Sequence, residues 1–230
     1  PNSVYALVAG GVLSAVLVPH IVKAGLDKDG GQGFINKIVT LAVVLLFLTT
    51  VIATILAPIL VGVYAQQSAD GARGFSGQEI ALATAFAYWC LPQILFYALY
   101  SLLGEVLNAR KVFGPFTWAP AINNLVAIAG LITFSQVFPG ADTANAFAWT
   151  STMVMVLAGS ATLGVTAQAL ILFAFWRRAG LSYRPDFRWK GVGLGKTGVA
   201  ATWVFAMIAV TQIAGLVQVN VATLATGADT

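Results

Sequence analysis

The residues that could do chemistry in this chain are few. His20 is the sole histidine and Cys90 the sole cysteine, so neither a catalytic triad nor a metal centre built on histidines and cysteines can be assembled, and an internal disulfide is excluded. Cys90 lies in an apolar run and reads as a small core hydrophobe. Asp27 and Asp29 form the one close acidic pair that could hold a divalent cation, but they flank Lys28 and read as a solvated turn. Gly191, Gly193 and Gly195 precede Lys196 and Thr197, superficially like a phosphate-binding loop. The pattern G-x-x-x-x-G-K-[ST] needs glycine where Lys190 stands, so the run reads as a flexible glycine hinge. No catalytic residue, metal site or cofactor is assigned.

The elements that must carry these residues follow from charge. Of 230 residues only 9% are charged and 59% are hydrophobic, against roughly 25% charged in a soluble domain. The charges cluster and leave six uncharged runs, 1–22, 38–69, 80–104, 112–141, 143–176 and 197–228. Each is long enough for the 20 or so residues that cross about 30 Å of hydrocarbon as a helix. Stretches such as Ile38–Leu48 do not alternate polar and apolar residues, which excludes a barrel of membrane strands. The expectation is an all-α polytopic bundle with spans near 2–22, 39–64, 80–104, 116–137, 150–176 and 198–224. The chain begins at Pro1 without a preceding basic region and is expected to be a piece of something longer.

The basic residues orient the bundle. Lys23, Lys28 and Lys37 fall in the first loop, Arg110 and Lys111 in the third, and Arg177, Arg178, Arg184, Arg188, Lys190 and Lys196 in the fifth. The even-numbered loops hold only Arg73. The positive-inside rule then places the odd loops in the cytoplasm and both ends of the chain on the outer side. The tryptophans mostly fall near span ends or in the fifth loop, as interfacial anchors do. Residues 177–197 read as a basic amphipathic linker lying on the cytoplasmic headgroups, touching anionic lipid and not nucleic acid, and as the boundary between two lobes.

No acidic or basic side chain lies deep in a span, so the segment does not look like a pump. Glu105, at the end of the third span, reads as an interfacial carboxylate near Arg110. What the spans do carry is uncharged: Asn2, Ser14, Gln93, Asn108, Asn123, Asn124, Gln168, Gln212, Gln218 and Asn220. These either bond helices to one another or face a wet cavity for a polar headgroup. Ser160 with Gly164 allows close helix approach, and Pro19, Pro58, Pro92, Pro115 and Pro120 permit bends.

Three blocks carry a resemblance to a family. Pro1-Asn2 with Gly11-Val12-Leu13-Ser14-Ala15 and Val18-Pro19 resembles the second helix of the MurJ/MviN family, flippases of the peptidoglycan precursor lipid II. Leu91-Pro92, Gly104, Leu107-Asn108-Ala109, Phe113, Pro115, Ala119-Pro120 and Asn124 are similar to a cytoplasmic junction of that family, and Thr211-Gln212-Ile213 with Gln218 to the start of its second lobe. The resemblance implies helices two to seven of a fourteen-helix transporter, 1–176 belonging to the first lobe and 198–230 opening the second. It implies a bacterial cytoplasmic membrane, a lipid-linked peptidoglycan precursor as cargo, alternating access and a role in cell-wall biogenesis.

Asn2, Tyr5, Ser14, Asn108, Asn124 and Gln212 become candidates for the substrate pathway, and Pro19, Gly104 and Pro120 for conformational positions. Tyr5 and Gly10 stand where the family often carries Arg and Glu, so this helix lacks a cationic contact to the diphosphate. The alternatives are an exporter of another polyprenyl-linked glycan or of drugs, a membrane-embedded polyprenyl-diphosphate transferase, and a scaffold acting through the basic loop.

Overall fold

The fold is taken from a computed structural model that describes residues 18–27, 29–64 and 75–188, with the isolated positions 210, 214 and 215. Seven α-helices follow one another there: α1 (Val18–Ala24), α2 (Gln32–Ile55), α3 (Ala57–Tyr64), α4 (Gly77–Cys90), α5 (Gln93–Ala109), α6 (Gly114–Val137) and α7 (Ser151–Ala174). Short 3-10 turns occupy Ala146–Ala148 and Arg177–Ala179. Four stretches are long and apolar enough to cross a membrane: α2, α4 with α5, α6, and α7 with its terminal turn. The first expected span is described only from Val18 onward, and the sixth lies almost wholly outside the described residues.

Helix ends are set by local chemistry. Ser76 and Glu79 close a reciprocal cap on α4, Glu79 N–H donating to Ser76 Oγ at 3.3 Å and Ser76 N–H to Glu79 Oε2 at 2.7 Å. Thr150 caps α7 by accepting from Met153 N–H. The second span starts at Gln32, seven residues before the expected 39, because Asp29 and Gly31 begin the helix outside the apolar run. Gly31 sits at φ 79°, and a Cβ there would lie 2.9 Å from the Ala24 carbonyl, so glycine is required.

Prolines divide the spans. Pro58 deprives the Thr54 carbonyl of its partner four residues on, and the helix breaks at Leu56 between α2 and α3. The expected span 80–104 is two helices running from Gly77 to Ala109, 33 residues interrupted at Leu91-Pro92. At 1.5 Å per residue that is about 50 Å, more than the hydrocarbon requires, so this element crosses tilted and bent or projects beyond it. The fourth and fifth spans match α6 and α7 within two residues at each end.

The bundle packs unevenly along its length. Ile21 of α1, Ile35 and Val39 of α2, Leu103, Val106 and Leu107 of α5, Ala119 of α6, and Ala169 and Leu172 of α7 form one buried cluster with Trp176 and Leu181. All of it lies at the end that carries the first, third and fifth loops. Toward the other end, α2 and α6 expose Phe47, Ile52 and Ile55, and Leu125, Leu131 and Ile132. A membrane helix gains no hydrophobic stabilisation by leaving lipid for protein, so such faces are ordinary within the hydrocarbon.

Candidate functional site

Polar side chains converge at the basic end. Gln32, Asn36 and Thr40 recur every fourth residue and so share one face of α2. Against them runs the extended segment after Gly180. Gln32 Oε1 accepts the Ser182 N–H at 3.0 Å and its Nε2 donates to the Ser182 carbonyl at 2.5 Å. Asn36 Oδ1 accepts the Arg184 N–H at 3.3 Å and a second bond from Gln32 Nε2 at 3.1 Å. Thr40 Oγ1 accepts the Asp186 N–H at 3.0 Å.

The Thr40 hydroxyl donates its one proton to the Asn36 carbonyl at 2.7 Å, so its 3.2 Å contact with the Tyr183 hydroxyl has tyrosine as donor. Asn36 and Thr40 are buried, Leu181 enters the core, and the Tyr183 ring packs on Phe173. At the end of this segment the Arg188 guanidinium forks onto Asp186, both contacts at 3.0 Å. Those bonds, with the Arg188 N–H, hold the Asp186 carboxyl down to about 2.

The first loop is tied in from the other side. Asp29 accepts the Gly33 N–H at 2.8 Å and the Gly31 N–H at 2.9 Å, which keeps its carboxyl below the usual range. The Asp29 oxygens thus serve the start of α2. Arg110 Nη2 donates to the Gly30 carbonyl and links this loop to the end of α5. That end is a Schellman arrangement, with Val112 N–H on the Leu107 carbonyl and Lys111 N–H on the Asn108 carbonyl, both 2.9 Å. Lys111 takes the left-handed position at φ 62° that glycine usually fills.

Two of the conformational candidates come together through Phe116. Pro120 lies inside α6 and has no N–H for the Phe116 carbonyl, and Tyr100 Oη of α5 donates there instead at 2.9 Å. The Tyr100 and Phe116 rings stack with centroids 4.8 Å apart. Gly104 makes this possible, because a Cβ at 104 would stand 2.2 Å from the Phe116 ring. Asn108 lies one helical turn beyond Gly104, half-buried in the cap of α5, and Asn124 is exposed on α6. No side-chain hydrogen bond joins these two asparagines among the described residues. Asn2, Tyr5, Ser14 and Gln212 lie outside the described residues, and of Pro19 only the helical backbone is described.

The sequence reading passed over Gln32, Asn36, Thr40 and Tyr183. A signal existed in the four-residue spacing of three polar residues, but Gln32 and Asn36 lie beyond Lys37 and outside the apolar run. The partner segment, 180 residues from the start of the chain, carries no periodicity that pairs it with them.

A bundle of long apolar helices with its loops and caps knitted at a basic end defines a multi-pass α-helical membrane protein. The family model described as Lipid II flippase MurJ matches residues 1–230. The chain belongs to the lipid II flippase MurJ family. It is 23% identical over 198 residues to a protein of Buchnera aphidicola subsp. Acyrthosiphon pisum, covering 84% of this chain and 35% of that protein. It is 24% identical over 203 residues to one of Haemophilus influenzae, covering 85% and 37%. A third, from Rickettsia prowazekii, is 26% identical over 142 residues, 59% of this chain and 26% of that protein. All three bear the name "Probable lipid II flippase MurJ". The chain spans about a third of the length of the curated relatives it matches first.

Proposed function

We propose that this chain is the part of a lipid II flippase that follows its first helix and leads into its second lobe, and that the whole protein carries the lipid-linked peptidoglycan precursor across the bacterial cytoplasmic membrane by alternating access. The observation that carries the reading is the match of the entire chain to one family of flippases. Physical chemistry gives the task its form. Moving an unpaired ionised group into hydrocarbon costs tens of kcal/mol by Born estimates, so a diphosphate headgroup needs a wet, hydrogen-bonding route while its lipid tail stays in the bilayer.

The task is movement without bond chemistry. Asn2, Tyr5, Ser14, Asn108, Asn124 and Gln212 line the headgroup route in this proposal, and Pro19, Gly104 and Pro120 serve its changes of shape. The odd-numbered loops face the cytoplasm, and the arginines of 177–196 lie against anionic headgroups there. Diphosphate-binding cations are supplied by helices outside this chain, since its own spans hold none in their interiors.

The test is translocation of fluorescent lipid II by the full-length protein in vesicles, competed with other polyprenyl-diphosphate sugars. Selective movement of intact lipid II is expected. Equal transport of every glycan would make the protein a general exporter, and recovery of a chemically altered lipid would make it a transferase.

A further inference from the structure

The face of α2 that carries Gln32, Asn36 and Thr40 is built to receive an extended chain. Alternate residues of a strand are about 6.6 Å apart, and residues four apart on a helix rise by about 6.0 Å. A strand of period two therefore runs in register with helix side chains of period four over a short distance. Here three amides, those of Ser182, Arg184 and Asp186, meet Gln32, Asn36 and Thr40 in the same order along both elements. The side chains of one helix do the work of a neighbouring strand. Leu181, buried to 3% exposure, and the Tyr183 ring on Phe173 fix the segment from the apolar side.

Thr40 is the best-determined rung. Its hydroxyl has one proton and two acceptor sites, and all three are used, by the Asn36 carbonyl, the Asp186 N–H and the Tyr183 hydroxyl. Asn36 Oδ1 likewise accepts twice. A surface segment held only against lipid headgroups has no need of buried, fully used partners on a helix.

We infer that Gln32, Asn36 and Thr40 are positioning residues that fasten 181–186 to α2, so that the first lobe as a mechanical unit ends at Asp186 and not at Trp176. On the two-lobe reading given above, on which this inference rests, the chain entering the second lobe pulls on α2 rather than on the end of α7.

Hydrogen exchange on the full-length protein in nanodiscs, read together with lipid II translocation, tests this. In the wild type the amides of Ser182, Arg184 and Asp186 exchange at least tenfold more slowly than in Thr40→Val combined with Asn36→Leu, while α7 amides stay equally protected in both. Translocation falls at least fivefold in that variant. Thr40→Val alone lowers both readouts, and Thr40→Ser, which keeps the hydroxyl, returns both to wild type; this pair decides the matter where the double variant fails to fold. Unprotected amides at 182, 184 and 186 in the wild type would overturn the fastening. Loss of protection with translocation unchanged would overturn the positioning role. A wild type that moves no lipid II would sink the flippase reading, while the exchange pattern would still decide whether the segment belongs to the first lobe.

Discussion

At the scale of single residues, the packing at the start of α6 rests on one carbonyl. Pro120 frees the Phe116 oxygen and Tyr100 answers it, so the two side chains are coupled although they do not share a bond. Tyr100→Phe should cost about 1 kcal/mol by leaving a carbonyl without its partner. In a Pro120→Ala background, residue 120 offers its own N–H and the same change should cost close to nothing. A double-mutant cycle of thermal unfolding in detergent reads the difference, and equal costs in both backgrounds would refute the coupling. Gly104→Ala should destabilise by about 1–3 kcal/mol, since its methyl must displace the Phe116 ring from the Tyr100 stack. Asp186 gives a dependence on pH. Its folded value of about 2 lies below the model-peptide value of 3.8, so the carboxylate's contribution is complete above that unfolded value and disappears as pH falls toward the folded one. The difference in unfolding temperature between wild type and Asp186→Asn should therefore be constant from pH 8 to pH 5, at about its full size, and shrink below about pH 4.

Among the elements, α6 and α7 pack against each other with small residues setting the distance. A Cβ at Gly130 would lie 2.4 Å from Ser160 Cβ, and one at Gly164 would lie 2.4 Å from Asn123 Oδ1 and 3.0 Å from the Asn123 carbonyl. Gly130→Ala should lower the unfolding temperature, and Ser160→Gly should recover most of the loss by vacating the same space. An additive double variant would show that the two positions do not share that contact. How far these elements could be read in advance depends on what ends them. The fourth and fifth spans were legible almost to the residue, because charged or capping residues stand at the membrane edge where the helices stop. The start of α2 was not, since a helix continues into water for as long as caps allow, and Lys37 rides on it without interrupting it. The break at Leu91-Pro92 was visible as a bend but not as an end: Pro92 has no N–H for the Tyr88 carbonyl, and the Thr162 hydroxyl of α7, also 3.0 Å from the Ala158 carbonyl, meets the Trp89 carbonyl at 2.7 Å and accepts from Gln93 at 2.9 Å. That pairing joins residues about seventy positions apart, and local sequence does not encode it.

For the whole molecule, the distribution of burial and the distribution of charge point the same way. The apolar cluster, the ladder on α2 and the cap of α5 all gather at the end that, among the described residues, carries Lys23, Lys37, Arg110, Lys111, Arg177, Arg178, Arg184 and Arg188. Loop residues at that end, Leu181 among them, are packed down against the helices, and removing their apolar side chains from water stabilises the arrangement. Within the bilayer, association instead rests on close contacts of the Gly130–Ser160 kind. The basic excess predicts which compartment this end faces. With Cys90 and any other cysteine of the full-length protein replaced by alanine, single cysteines placed at Lys111, in the turn between α5 and α6, and at Asp142, between α6 and α7, should separate the two faces of the full-length protein in intact cells. Asp142→Cys should react with a membrane-impermeant maleimide added outside, and Lys111→Cys only after the membrane is opened. The expectation rests on the rule that short loops rich in Lys and Arg stay in the cytoplasm, with two basic residues in one turn and none in the other. The reverse labelling would invert the bundle and turn the α2 ladder outward. The arginines of the following segment would then face away from the anionic leaflet, and the fastening of that segment to α2 would have to serve the outer mouth of the route instead of the cytoplasmic one.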